Sequence, residues 1–192
     1  MCISKNFSSG NAGLTNFYRT YGAKYALLVI AIDMGKTVIA ALIGGCMLDY
    51  LLHDWTLGVL LGGLGCELGH MFPVFFGFKG GKGILSGGVL VWFIDWRVAL
   101  IAWGLFLGLW LLTRYVSLGS VAGSASMPIT SAFVFGFHWE YVLLCVLIAG
   151  LVIYCHRGNI QRLLHGTESK FKWHVNPIQE LGDNGIESEE DK

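Results

Sequence analysis

Long apolar runs broken by short polar connectors pattern this chain from Tyr25 to Tyr154. The first covers about residues 25–48 and stops at the polar break Asp49 to Asp54. The second extends from Trp55 to about Phe78, interrupted by Glu67 and His70. Ile84 to Ile94 is only about a dozen residues, against the roughly 20 that a helix needs to cross a bilayer. Asp95-Trp96-Arg97 ends it. Further runs cover Val98 to about Thr113, Val116 to Phe137 with Pro128 inside, and Tyr141 to Tyr154 after the connector His138-Trp139-Glu140. These runs are too long for barrel strands of about ten residues and lack polar/apolar alternation. They predict an all-α fold, a polytopic integral membrane helical bundle with about six transmembrane helices. The spacings Gly58/Gly62/Gly65 and Gly104/Gly108 predict close helix–helix packing, and no internal repeat is visible.

The short third run decides the topology. If each run crosses once, the connectors alternate between two sides. One side then receives Lys5, Arg19, Lys24, Lys79, Lys82, Arg114, Arg157, Arg162, Lys170, Lys172 and Lys192. The other receives only Arg97, and Lys36 lies inside the first run. The positive-inside rule makes the crowded side cytoplasmic. A re-entrant 84–94 segment would swap the later connectors and weaken the asymmetry. The charge pattern therefore predicts a crossing.

Composition agrees with a membrane chain. Apolar residues make up 54% and charged residues 14%, where soluble domains carry about 25% charge; the mean hydropathy is +0.60. The formal net charge is zero, which gives no reason to expect nucleic acid. The short polar N-terminus reads as no cleavable signal. Cys2, Cys46, Cys66, Cys145 and Cys155 have no metal-ligand spacing and predict neither a disulfide framework nor a metal site; no cofactor is expected. Residues 1–175 read as one membrane-embedded domain, and 176–192, ending in acidic residues, as a polar disordered cytoplasmic tail.

Three polar clusters fall on the predicted cytoplasmic side. Ser9, Gly10, Asn11, Gly13, Thr15 and Asn16 form a first stretch dense in hydroxyl, amide and backbone donors. Lys79, Gly80, Gly81, Lys82 and Gly83 form a second, with two positive charges and backbone N–H groups bare of side-chain cover. The third is His156 to Glu168. If residues 156–163 continue the last helix, His156, Asn159 and Leu163 share a face with Arg162 close by. Each has a plainer reading: lysines as topology signals among headgroups, the first stretch as a turn-rich loop, His156 as a helix cap. The lysine–glycine loop is no nucleotide P-loop, because Gly83 follows Lys82 where Ser or Thr belongs. Convergence on one side favours a site for phosphorylated ligands at the bilayer interface. Asp33 and Lys36, at i and i+3, can pair within the first run. Glu67 either hydrogen-bonds His70 or reaches the interface.

In these clusters the sequence resembles the PlsY-type acyl-phosphate:glycerol-3-phosphate acyltransferases of bacteria. The resemblance rests on the Ser9-Gly10-Asn11 stretch, on Gly69, His70, Pro73 and Phe78 to Gly83, and on His156, Asn159, Ile160, Arg162, Gly166 and Glu168. Asp33-x-x-Lys36 and Ser117 to Ser120 also match the family. It implies a multispanning inner-membrane enzyme with its site on the cytoplasmic side. That enzyme moves an acyl group from acyl phosphate to the 1-hydroxyl of sn-glycerol 3-phosphate. The products are lysophosphatidic acid and inorganic phosphate, in the first acylation of phospholipid synthesis. No metal is implied, and functional coupling to the enzyme that makes acyl phosphate is. His156, Asn159 and Lys82 are the implied catalytic residues. The implied substrate-binding residues are Ser9, Gly10, Asn11, Gly13, Thr15, Asn16, His70, Lys79, Gly80, Gly81, Lys82, Gly83, Arg162 and Glu168. The family has seven spans, with a further helix, a serine and an arginine before the first signature. Here eight residues precede Ser9, and Lys5 stands near the arginine's place, which reads as a truncated or variant form. Two competing readings remain: a small transporter of a phosphorylated metabolite, and a non-catalytic membrane partner.

Overall fold

The structure, a computed structural model, describes residues 23–171, with side chains described from Leu27 onward. The first polar cluster, Ser9 to Asn16, and the tail beyond Phe171 lie outside the described residues. Seven α-helices and one 3-10 turn make up the described chain, with no strand among them. They are α1 (Ala23–Leu52), α2 (Trp55–Met71), the 3-10 turn Val74–Phe76, α3 (Ile84–Ile94), α4 (Trp96–Thr113), α5 (Val116–Val134), α6 (Trp139–Cys155) and α7 (Arg157–Leu164).

Hydrogen bonds between connectors fix the path of the chain. At one end, the Tyr141 hydroxyl donates to Asp54 at 2.8 Å and the Trp55 indole donates to the Phe93 carbonyl at 3.3 Å. Asp54 also caps α2 by accepting from Leu57 N at 2.9 Å, satisfying an orphan donor of the first turn. At the other end, Lys82 reaches Asn159, Ser117 reaches Glu168, and the Phe171 amide donates to the Arg114 carbonyl. Helices α1 to α6 therefore run alternately end to end. The brief α3 runs from one end of the bundle to the other, the course the charge pattern predicts: Lys82 sits at one end and Phe93 at the other. Its shortness is offset by the loop before it, which climbs α2. Gly80 N donates to Met71 O at 3.1 Å and Gly81 N to His70 O at 3.2 Å.

Among the described residues, three stretches have the length and hydropathy to cross a membrane alone, Leu27–Leu52, Trp55–Phe76 and Trp96–Thr113, and the bent pair α6 and α7 makes a fourth if it is counted as one span. Leu60, Leu90, Val98, Cys145 and Ile148 form the centre of the buried core, while large apolar side chains such as Leu112 and Phe133 face outward, the pattern of a bundle solvated by lipid. Among described residues, every connector lysine and arginine but Arg97 stands at the Lys82 end.

The glycine expectation holds on one face and fails on another. A methyl on Gly58 would run into the Gly44 carbonyl, and one on Gly62 into the Ala40 carbonyl, so α1 and α2 touch backbone to backbone. Gly65, Gly104 and Gly108 face open space. The small residues that seat α5 on α4 are Gly119 and Gly123, against the Phe106 and Ala102 carbonyls. Spacing alone does not say which side of a helix meets a neighbour. Gly58→Leu is expected to destabilise the bundle by about 1–3 kcal/mol through overpacking against rigid backbone, whereas Gly104→Leu leaves the thermal midpoint in detergent unchanged. Equal midpoints for the two variants would contradict this packing.

Candidate active site

A break between α6 and α7 creates the third cluster's geometry. The sequence reading continues the helix through 156–163, but the chain turns by 61° at His156. His156 leaves helical geometry there (φ −92°, ψ 3°), and its ring Nδ1 lies 2.8 Å from the Val152 carbonyl. A carbonyl only accepts, so Nδ1 carries the proton and Nε2 keeps its lone pair. The residue is 3% exposed. Burial, and less strongly the Lys82 charge, hold its pKa below the ordinary histidine value, against the pull of the Val152 carbonyl.

The bend swings α7 across the bundle end towards the lysine–glycine loop. Lys82 Nζ donates to Asn159 Oδ1 at 2.7 Å. This orients the amide, whose Nδ2 donates to Glu168 Oε1 at 2.7 Å. Ser117 Oγ donates to the same oxygen at 2.7 Å, and Arg162 Nε donates to Oε2 at 2.7 Å. The second and third clusters thus meet, joined by α5. Burial first, and the Arg162 charge next, push Lys82 below the ordinary lysine value, while Glu168 pulls it back. Burial would raise Glu168, but the bonds from Asn159, Ser117 and Arg162 outweigh it and keep the carboxylate below its usual value. Glu168 is occupied by these three donors, and its charge would repel a phosphate. These bonds fix the orientation of Asn159 and Arg162. The terminal guanidinium nitrogens of Arg162 keep no partner among the described residues, and its side chain is half-exposed.

The glycines of the loop do something the sequence reading did not anticipate. The amides of Gly80 and Gly81, expected to be free, are spent on the last carbonyls of α2. Their bareness serves close approach instead. A methyl on Gly80 would meet the His70 carbonyl, one on Gly81 the His70 ring, and one on Gly83 Met71 and Glu67. Gly83 also adopts φ +75°, which L side chains rarely accept. Lys82 is thereby pinned over the bundle. Lys79 is exposed and has no hydrogen bond or ion pair among the described residues.

Behind the loop, Asp33 and Lys36 pair at 2.6 Å as expected. Lys36 Nζ also lies 2.6 Å from His70 Nδ1. That partner is 34 positions away, and no local spacing announces it. Glu67 neither binds His70 nor reaches the interface. It is fully buried, with its carboxylate near the Ser86 hydroxyl and no other polar partner among the described residues. His70 turns across to α1 because Lys36 offers a charged partner there. His70 supports the loop through its ring and backbone.

Beneath this network lies an apolar cavity of about 150 Å³ between α3, α4, α5 and α6. Gly83, Ser120 and Val152 line it at the polar end, and Val91, Trp103 and Met127 line it deeper in the bundle. Val152 is the residue whose carbonyl holds His156, and Ser120 lies one turn from Ser117. The polar cluster therefore adjoins this end of the cavity.

The family described as glycerol-3-phosphate acyltransferase matches residues 4–166. The chain is 41% identical over 167 residues to the glycerol-3-phosphate acyltransferase of Aquifex aeolicus (strain VF5), covering 87% of this chain and 84% of the relative. It is 41% identical to that of Thermoanaerobacter sp. (strain X514), over 86% of this chain and 80% of the relative. The fold is similar to the crystal structure of PlsY, an integral membrane glycerol 3-phosphate acyltransferase, in its glycerol 3-phosphate form. The TM-score is 0.71 at 36% identity, over 92% of this chain and 84% of that one. The lysphosphatidic acid form of PlsY gives a TM-score of 0.71 at 40% identity, over 85% of this chain and 81% of that one. An all-helical bundle of apolar spans, with this likeness along most of its length, belongs to the glycerol-3-phosphate acyltransferase family.

Proposed function

We propose that this chain transfers a fatty acyl group from acyl phosphate to the 1-hydroxyl of sn-glycerol 3-phosphate, giving lysophosphatidic acid and inorganic phosphate. The observation that carries the reading is the apolar cavity whose lining includes Gly83, next to Lys82, and Val152, which holds His156, so that it adjoins the Lys82–Asn159–Glu168–Arg162 network. An amphiphile with an anionic head and a long apolar tail fits that pairing. The tail enters between the helices, and the phosphate stays at the rim beside Lys82. Arg162, with Asn159 and the first cluster (Asn11, Thr15), holds the phosphate of the acceptor.

Acyl phosphate is a mixed anhydride and already activated, so the protein need not supply a covalent nucleophile. The acceptor hydroxyl oxygen attacks the acyl carbon, and the bond from that carbon to the phosphate oxygen breaks. The phosphate departs with the bonding electrons, and Lys82 stabilises the charge it carries away. The hydroxyl proton goes to His156 Nε2 or to the departing phosphate itself. Holding two phosphorylated substrates at one rim supplies the remaining acceleration through proximity. The site faces the cytoplasm of a bacterial inner membrane, on the side rich in lysine and arginine, and catalyses the first acylation of phospholipid synthesis. There it couples functionally to the enzyme that makes acyl phosphate.

Purified chain given palmitoyl phosphate and labelled glycerol 3-phosphate should release inorganic phosphate in step with lysophosphatidate. Flux of glycerol 3-phosphate into proteoliposomes without acylation would replace this reading with transport. If His156 accepts the proton, its lowered pKa keeps Nε2 unprotonated as the pH falls through about 6.5. The acid limb of kcat/KM then lies below that value, and His156→Ala abolishes the limb. A limb unchanged in His156→Ala would assign the proton to the phosphate.

A further inference from the structure

One rigid side chain stands in the cavity wall part-way along its depth. From Gly83 to Val91, two lining residues of α3, is about 12 Å at a helical rise of 1.5 Å per residue. The Trp103 indole of α4 stands part-way along, at the level of Gly88 and about 7.5 Å from Gly83, and is fixed on two sides. Its Nε1 donates to the Gly88 carbonyl at 2.9 Å, and Phe106 meets it edge-on with ring centroids 5.8 Å apart. Gly88 leaves little slack, because a methyl there would stand 3.1 Å from the indole ring. Most other walls are small or flexible: Gly87, Gly123, Ser124 and Met127. A rigid, doubly anchored aromatic among small residues limits how far an extended chain advances.

We propose that Trp103 sets the acyl-chain length this enzyme accepts, by restricting the cavity at the level of Gly88. The proposal rests on the acyl-phosphate reaction argued above. The acyl carbon must stay at the rim, beside Lys82 and His156, for the hydroxyl to reach it. A chain longer than the cavity then either withdraws that carbon from the rim or bends out between the helices. Both lower kcat/KM for long donors relative to short ones. One misplaced methylene in an apolar pocket costs about tenfold or more.

The test compares kcat/KM for octanoyl, dodecanoyl, hexadecanoyl and octadecanoyl phosphate in the unmutated chain, Trp103→Leu and Ser124→Leu, all full-length and in the same detergent. Trp103→Leu removes the restriction and should raise the octadecanoyl-to-dodecanoyl ratio by about tenfold. Ser124→Leu narrows the same cavity and should lower that ratio by a similar factor. General structural damage would depress all four donors together and leave the ratio unmoved. Ratios within about twofold of the unmutated chain in both variants, with its own turnover intact, would overturn the ruler alone. Should Trp103→Leu not purify as a folded protein, the Ser124→Leu ratio decides. No acylation by the unmutated chain from any of the four donors would overturn the reaction and the ruler together.

Discussion

Lys82→Ala is expected to lower kcat/KM for acyl phosphate by about 100- to 1,000-fold, the usual cost of removing one preorganised donor from developing charge. Lys82 is the cation held in place at the rim: the loop is bonded to the end of α2 by Gly80 and Gly81, and its ammonium is fixed on Asn159. Only one of its three protons is used there, so two remain for a phosphate. A fixed charge in a partly buried site costs no reorganisation at the moment of reaction, which is why the loss should appear in kcat as well as KM. Lys79→Ala provides the contrast. That side chain is exposed, and its charge is screened by solvent and salt, so its loss should cost less than about tenfold at physiological salt. Steady-state kinetics over a range of acyl phosphate concentrations separates the two. Equal losses would mean that the loop acts as a diffuse basic patch, and unchanged kinetics in Lys82→Ala would remove Lys82 from the donor phosphate.

The same loop shows what a sequence can and cannot convey. Hydropathy and the positions of lysine and arginine suffice to place six runs end to end, because lipid tolerates only helices that satisfy their own backbone. They even predict that the short 84–94 run crosses. The meeting of Lys82 with Asn159 follows from the same alternation, since both lie at the basic end. What stays hidden depends on partners remote in sequence. The amides of Gly80 and Gly81 look free until α2 supplies their acceptors. His70 looks like a partner of Glu67 until Lys36 arrives from α1. Gly104 and Gly108 carry the spacing of a packing face yet meet nothing, and Gly119 and Gly123 do that work from the opposite helix. Trp103 gave no local signal at all, because a cavity wall is a property of four helices together.

Glu168 supplies the second large effect, although no phosphate would sit against it. Three donors converge on its carboxylate: Ser117 from α5, Asn159 and Arg162 from α7. The residue lies beyond the last helix and folds back, next to the Phe171 amide bonded to Arg114. Removing the carboxylate frees all three at once. Asn159 then loses the bond that aims its oxygen at Lys82, and Arg162 regains its rotamer freedom. The half-exposed Arg162 pair is worth little by itself; the loss comes from the partly buried bonds to Asn159 and Ser117, each about 1.5–3 kcal/mol when the acceptor is charged. Glu168→Ala is therefore expected to lower kcat/KM for glycerol 3-phosphate by roughly 100-fold, with a smaller change for acyl phosphate. Glu168→Gln should recover part of it. Its carbonyl still accepts from Ser117 and Asn159, but its NH2 group faces Arg162 as a second donor. An alanine variant that loses both substrates equally, with no rescue by glutamine, would make Glu168 a general support of the fold and leave Asn159 and Arg162 independent of it.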